Sequence, residues 1–238
     1  MKNIFPKTVA LTLLVSVFFL ARRGAAFVSA EAVQEENLPC IVIDAGHGAN
    51  DPGKVGVNGV LEKDINLAVA LRLRTMLENK GYRVVMTRDT DAILADKNAT
   101  NQKREDMVAR VHVIKEADPV MAVSVHQNSF SNGAVCGPQV FYYSESPEGK
   151  EIAMTMQASL DEILAPESPR KTKANNEYYM LKKTPTPTVI VECGFLSNDR
   201  EAELLSTELY QNKVARAIYF GICDYMQDAQ SKTASAEM

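Results

Sequence analysis

Residues 41–53, Ile-Val-Ile-Asp-Ala-Gly-His-Gly-Ala-Asn-Asp-Pro-Gly, constrain this chain more than any other stretch. The stretch begins as a short apolar run of the kind a buried parallel strand needs. It then breaks into glycines on either side of His47. A strand ending this way pushes an imidazole out at the carboxyl end of a sheet, the edge where open α/β sheets hold ligands. A strand from Cys40 to Asp44, a glycine loop to Gly59, a helix from Glu62 to a left-handed stop at Gly81 and a strand over 82–87 make one right-handed parallel crossover.

The remaining pattern extends the same architecture. A helix is predicted from Gln102 to Glu116, with Met107, Val108, Val111 and Ile114 facing inward. Strands follow over 120–125 and 139–143, then a helix from Pro147 to Leu164. Residues 165–187, rich in Lys, Pro and Asn, read as surface loop. A strand over 188–191 and helices over 199–205 and 208–227 complete the domain, with a frayed polar tail from Ala229. The expected fold is α/β: a single domain over residues 40–228, with a mostly parallel twisted sheet and helices on both faces. A chain of 238 residues, 46% of them hydrophobic, suffices for one such core.

Residues 1–30 differ from the rest. Lys2 and Lys7 precede an apolar run from Thr8 to Ala21, shorter than a membrane span, and Val28-Ser29-Ala30 has a signal-peptidase pattern. The segment reads as an export signal, followed by a linker over 31–39. Arg22 and Arg23, directly after the apolar run, keep an uncleaved membrane anchor as a competing reading. A buried first helix of a cytosolic protein is a third. Cleavage after Ala30 takes Lys+Arg from 26 to 22 against 30 Asp+Glu, so net charge goes from −4 to −8. An acidic domain argues against nucleic acid as a partner. Cys40, Cys136, Cys193 and Cys223 form no Cys-x-x-Cys pair and read as small buried apolar residues.

Three apolar runs end in a residue able to bind metal or move protons: His47, His126 and Glu192. In a parallel sheet these ends share one edge. The third histidine, His112, lies mid-helix and is expected to face solvent or a polar contact. Two histidines and a carboxylate are a common zinc set that keeps one position open. Glu62 is the leading carboxylate, although a Glu in a first helical turn is also favoured by the helix dipole alone. Asp44 and Asp51 compete with it, Asp44 also as a residue that orients His47. Glu192, after Thr-Val-Ile-Val, is costly to bury unpaired. It suits a general base near an activated water, or a buried ion pair with an arginine. Residues 48–54 also fit G-x-x-x-x-G-K. Val55 in place of Ser or Thr, the charge of Asp51 and a late helix start count against a phosphate loop.

These residues resemble the zinc-dependent N-acetylmuramoyl-L-alanine amidases of bacterial cell walls. The likeness runs from Ile41 to Tyr225 and is carried by Ile-Asp-Ala-Gly-His-Gly (43–48), Asp-Pro-Gly (51–53), Glu-Lys-Asp-Ile-Asn-Leu (62–67), Met-Thr-Arg (86–88), Ser-Val-His-Gln-Asn (124–128) and Val-Glu-Cys-Gly-Phe-Leu-Ser-Asn (191–198). The Phe-Tyr-Tyr strand at 141–143 and the lack of extra domains look most like the spore-cortex or germination-type amidases of sporulating bacteria. The resemblance implies one Zn2+ per chain on His47, Glu62 and His126, with Glu192 as catalytic acid/base. It implies hydrolysis of the amide between the muramic acid lactyl group and L-alanine of peptidoglycan. Asn128 and Arg88 are expected to hold substrate or shape the site, with an ion pair as the rival role for Arg88. Ala49, Gln127 and Ser129 depart from the common pattern without removing a ligand. The stretch from Gln139 to Thr188 is too short for a helical plug, so regulation is expected from a partner protein or from substrate structure. Membrane association is expected through the N-terminal segment, and the setting is the exported cell envelope. A zinc peptidase on wall peptides and a non-catalytic wall-binding module are the competing functions.

Overall fold

The computed structural model describes residues 38–96 and 98–236, and side chains as far as Lys232. The expected export segment and all but the last two residues of the expected linker lie outside the described residues. From Pro39 onward the described chain is one unit built on a six-stranded sheet. The strands are β1 (Cys40–Ala45), β2 (Arg83–Met86), β3 (Met121–Asn128), β4 (Gln139–Tyr142), β5 (Lys173–Ala174) and β6 (Thr188–Phe195). The helices are α1 (Glu62–Lys80), α2 (Gln102–Ala117), α3 (Pro147–Leu164), α4 (Tyr179–Lys183), α5 (Asp199–Leu205) and α6 (Glu208–Ala236). The sheet order is β2-β1-β3-β6-β4-β5, parallel except where β4 runs against β6.

Side-chain alternation along β1 explains the layers. All six of its residues are buried. Ile41, Ile43 and Ala45 face a large core shared with α1, α3 and α6, while Val42 faces a smaller core with Val111 and Ile114 of α2 and Met180 and Leu181 of α4. The sheet is thus covered on both faces, as its sequence implied. Local chemistry sets the helix ends. Gly81 closes α1 with φ 92°, which suits a residue without a Cβ. Ser146 caps α3 by accepting from the Gly149 N–H at 2.9 Å, with Pro147 in the first turn. Among the described residues no helix is long and apolar enough to cross a membrane.

Four details differ from the sequence reading. β6 continues through Cys193 and Gly194 to Phe195, because β3 goes on pairing beside it across a bulge between His126 and Asn128. Residues 165–187 are not all loop: they contain β5 and α4, anchored by the buried pair Met180 and Leu181. Val108 is 47% exposed, and its helix instead turns Asp106 and Arg110 inward. The tail stays helical to Ala236; alanines at 229, 234 and 236 favour helix, and Lys232 pairs with Glu151 of α3 at 2.9 Å. All four cysteines are free thiols. Cys40 and Cys193 are buried as expected, while Cys136 and Cys223 are half-buried.

Candidate metal centre and catalytic cleft

The site forms where β1, β3 and β6 reach the carboxyl edge of the sheet. After β1, His47 takes φ 62° and Ala49 takes φ 45°, backbone that L-residues adopt at a cost. Two glycines make the close approach possible. A Cβ on Gly46 would lie 2.3 to 2.7 Å from three ring atoms of His126, so that imidazole rests on bare backbone. Gly53, at φ 66°, lies against Glu62 and His47, where a Cβ would fall within 2.6 Å of each. The loop between them folds α1 back so that its first residue meets β3.

Glu62 is buried at the centre of the cluster. Its Oε1 lies 2.9 Å from His126 Nδ1 and 3.2 Å from His47 Nε2, and accepts the Gln127 N–H at 3.1 Å. Its Oε2 accepts the Lys54 N–H at 2.7 Å. Burial opposes its charge, but hydrogen bonding and charge from His126 and His47 override burial and hold the carboxyl far below the usual range. The two imidazoles stand edge to face, 5.0 Å between centroids. One ligand atom from each of His47, Glu62 and His126 lies within 4.8 Å of the others, so the three form a group able to hold a metal ion. His47 is oriented by Asp51, whose Oδ2 lies 2.9 Å from Nδ1, not by Asp44.

Asp44 has a different task. It accepts from Thr87 Oγ1 (2.7 Å), Ser124 Oγ (2.5 Å) and Arg110 Nη1 (2.8 Å). These partners overcome its burial and lower its pKa to about 2. Arg110 is buried too, and ties the scaffold to the site. It donates to Asp106 at 2.6 Å, to the Ala45 carbonyl at 2.8 Å and to the His47 carbonyl at 2.5 Å. The strained His47 backbone is therefore held from below. Arg88 braces the same turn. Its guanidinium donates to the carbonyls of Ala45, Gly46, Lys63 and Thr90 at 2.8 to 3.0 Å. Of the roles expected for Arg88, this geometry matches shaping the site.

Glu192 lies beside the cluster within β6, in register with His126. It is 7% exposed, and its Oε2 has no hydrogen-bond partner. Burial, reinforced by the like charge of Glu62 and opposed by His126 and His47, pushes its carboxyl up to about 7. Among the described residues the charged groups acting on it are His126, Glu62 and His47, not an arginine. His47, Glu62, His126 and Glu192 line a cleft of about 370 Å³. Its remaining walls include Lys103 and Met107 from α2, and Tyr178, Tyr179 and Met180 at α4. Asn128 ends β3, with its Oδ1 accepting from the Ser129 N–H at 2.8 Å. His112 is exposed and lies 3.6 Å from Glu116, the polar contact expected of it.

The sequence reading missed Lys103, the two tyrosines and Arg110. Signals existed for two of these. Tyr-Tyr-Met-Leu at 178–181 is an apolar cluster inside a polar segment, and Asp106 and Arg110 are spaced i, i+4 as an internal ion pair.

A doubly covered α/β sheet that gathers two histidines and a glutamate at its carboxyl edge, with a second, protonatable glutamate in the same cleft, defines a hydrolytic enzyme with a candidate metal centre. The chain belongs to the N-acetylmuramoyl-L-alanine amidase family (Amidase_3), which it matches over residues 41–224. It is 38% identical over 191 residues to the germination-specific N-acetylmuramoyl-L-alanine amidase of Bacillus subtilis (strain 168), covering 79% of this chain and 80% of that protein. The CwlD amidase from Clostridioides difficile, solved in complex with the GerS lipoprotein, superposes with a TM-score of 0.77 at 38% identity, over 79% of this chain and 98% of that one. The catalytic domain of CwlV, an N-acetylmuramoyl-L-alanine amidase from Bacillus (Paenibacillus) polymyxa var. colistinus, gives 0.71 at 32% identity, over 80% of this chain and 99% of that one. The activity is therefore hydrolysis of the amide that joins N-acetylmuramoyl groups to L-alanine, the bond found in peptidoglycan.

Proposed function

We propose that this amidase is a zinc enzyme in which His47, Glu62 and His126 hold the ion and Glu192 moves the proton. The observation that carries the reading is the contrast within one cleft. Three donor atoms converge within 4.8 Å, while the neighbouring Glu192 is buried with one oxygen unpartnered. Two imidazole nitrogens and a carboxylate oxygen fit zinc and leave a position open. A zinc ion held there supplies Lewis-acid polarisation of the amide carbonyl and a more acidic attacking water. Glu192, buried beside the three ligands with one oxygen unpartnered, would accept a proton from a water in the cleft and return it to the L-alanine amine of the stem peptide as the amide C–N bond breaks. Asp51 keeps the His47 ring oriented, and Glu62 remains ionised throughout. Asn128, two residues beyond His126 at the end of β3, is assigned to substrate contacts.

The enzyme acts outside the cytoplasm on peptidoglycan, with residues 1–30 serving as export signal or membrane tether. The germination-specific relative supports a role in spore-cortex modification. The lipoprotein bound to the Clostridioides difficile amidase supports an accessory protein as regulator here.

The deciding experiment incubates purified protein with peptidoglycan, with and without chelator, and sequences the new amino termini. Stem peptides starting at L-alanine, released only without chelator and restored by Zn2+, are expected. Cleavage within the peptide means a peptidase, and binding without products means a wall-binding module. Fully active protein lacking zinc sinks the metal assignment.

A further inference from the structure

The catalytic cleft has one aromatic wall. Tyr178, just before α4, and Tyr179, its first residue, line the space that holds His47, His126 and Glu192. Their exposures are 36% and 37%, much aromatic surface to leave open in a cleft whose floor is charged. These rings are held in place. Met180 and Leu181, the next two residues, are 2% exposed and belong to the core under α2. The Tyr178 ring lies 5.4 Å from that of Phe141, tilted by 59°. Asn175 Oδ1 accepts the N–H groups of Glu177 and Tyr178, both at 2.8 Å. A wall fixed before substrate arrives loses little freedom on binding.

The chemistry of the bond indicates what meets this wall. On one side of the scissile amide lies a lactyl group carried by a pyranose ring. On the other lies L-alanine, whose side chain is a single methyl. Only the sugar offers a broad C–H face of the size of a phenol ring, and its hydroxyl and acetamido groups match the polar edge of tyrosine. The α2 part of the rim instead carries Lys103, 71% exposed at its side chain and 3.5 Å from Asp51, a cation suited to peptide carboxylates.

We propose that Tyr178 and Tyr179 form the sugar subsite of this cleft, their rings packing on the muramic acid pyranose beside the scissile amide. α4 thereby makes the enzyme a reader of the glycan side of its substrate. This inference rests on the amidase reading above, and the test separates the two. Two substrates are compared: an N-acetylmuramoyl-peptide, and the N-lactoyl-peptide that keeps the scissile amide but lacks the sugar ring. The ratio of their kcat/KM values is independent of how much of a variant is folded. Wild type is expected to prefer the muramoyl substrate. In Tyr178→Leu/Tyr179→Leu the ratio is expected to fall about tenfold, the change in KM for the muramoyl substrate carrying most of it. Tyr178→Phe/Tyr179→Phe, which keeps both rings, is expected to retain most of the preference. An unchanged ratio in the leucine variant overturns the proposal, as does a wild-type ratio near one. A phenylalanine variant that falls as far as the leucine one also overturns it, because the hydroxyls would then do the reading. Wild type cleaving neither substrate removes the amidase reading itself.

Discussion

Glu62 and Glu192 line one cleft, are both nearly inaccessible, and have opposite acid–base behaviour. Glu62 is ringed by donors on both oxygens, with two imidazoles and two backbone N–H groups, and stays ionised. Glu192 has an oxygen with no partner and is pushed up to about 7. Residue type does not separate them; the local supply of hydrogen bonds does. When neighbouring carboxylates are driven apart in this way, the low one suits a ligand and the high one suits proton transfer. Asp44 shows that burial alone is not the cause. It is as buried as either, and three side-chain partners bring it to about 2.

The largest test replaces each glutamate by its neutral isostere. Glu192→Gln is expected to lower kcat by about 10²–10⁴ while zinc content stays at one per chain, because only proton transfer is removed. Glu62→Gln is expected to be equally inactive for another reason: purified protein carries little zinc, and competition with a chelator shows the weakened site. Metal analysis beside turnover reads both. If the two variants keep the same zinc content, the division of labour between the carboxylates is wrong.

The next test strips partners from a satisfied carboxylate to leave it in the situation of Glu192. Arg110→Met removes the cation shared by Asp44 and Asp106 and the clamp on the His47 carbonyl. Leaving such charges buried without their partner is expected to cost about 3–5 kcal/mol in urea unfolding. A loss below about 1 kcal/mol would mean that Thr87 and Ser124 satisfy Asp44 unaided.

How much of this was visible beforehand follows from what each residue depends on. His47 and His126 stood out because apolar runs ended at them, and parallel strands align their carboxyl ends whatever the details. Glu192 is marked by the same signal, and the apolar runs place both it and His126 at strand ends. Both sit inside their strands, since β3 and β6 go on pairing past them to Asn128 and Phe195, and register is a property of two strands together. Glu62 could not be separated from a helix-dipole residue by spacing; the contacts of the loop at Gly46 and Gly53 bring it between the histidines. Arg110 and Tyr178 were harder to see. Each acts on residues far away in the chain, and one lay in a segment whose Lys, Pro and Asn content hid a single anchored turn. Composition reports solubility, while the burial of Met180 and Leu181 depends on the shape left open by α2 and β6.

The smallest effect is also the most specific to the comparison, and it is read in chelated protein. Glu192 titrates near 7 when folded against an ordinary glutamate value of 4.5. Between those values the folded chain holds a proton that the unfolded chain has released. Stability from this group is therefore complete below about pH 4.5 and declines as pH rises through 7. Glu192→Gln lacks the decline. The variant should gain on wild type by up to about 3 kcal/mol between pH 4.5 and 8, with the gap level above that. Glu62 has the reverse sign. Its folded value lies below 4.5, so its contribution is present above that pH and is lost as pH falls further, and Glu62→Gln should diverge from wild type only on the acid side. Urea midpoints at closely spaced pH give both curves. Parallel profiles for wild type and Glu192→Gln from pH 4.5 to 8 would show that the unpartnered oxygen of Glu192 finds water in solution, and the contrast between the two glutamates would then reduce to a difference in ligands alone.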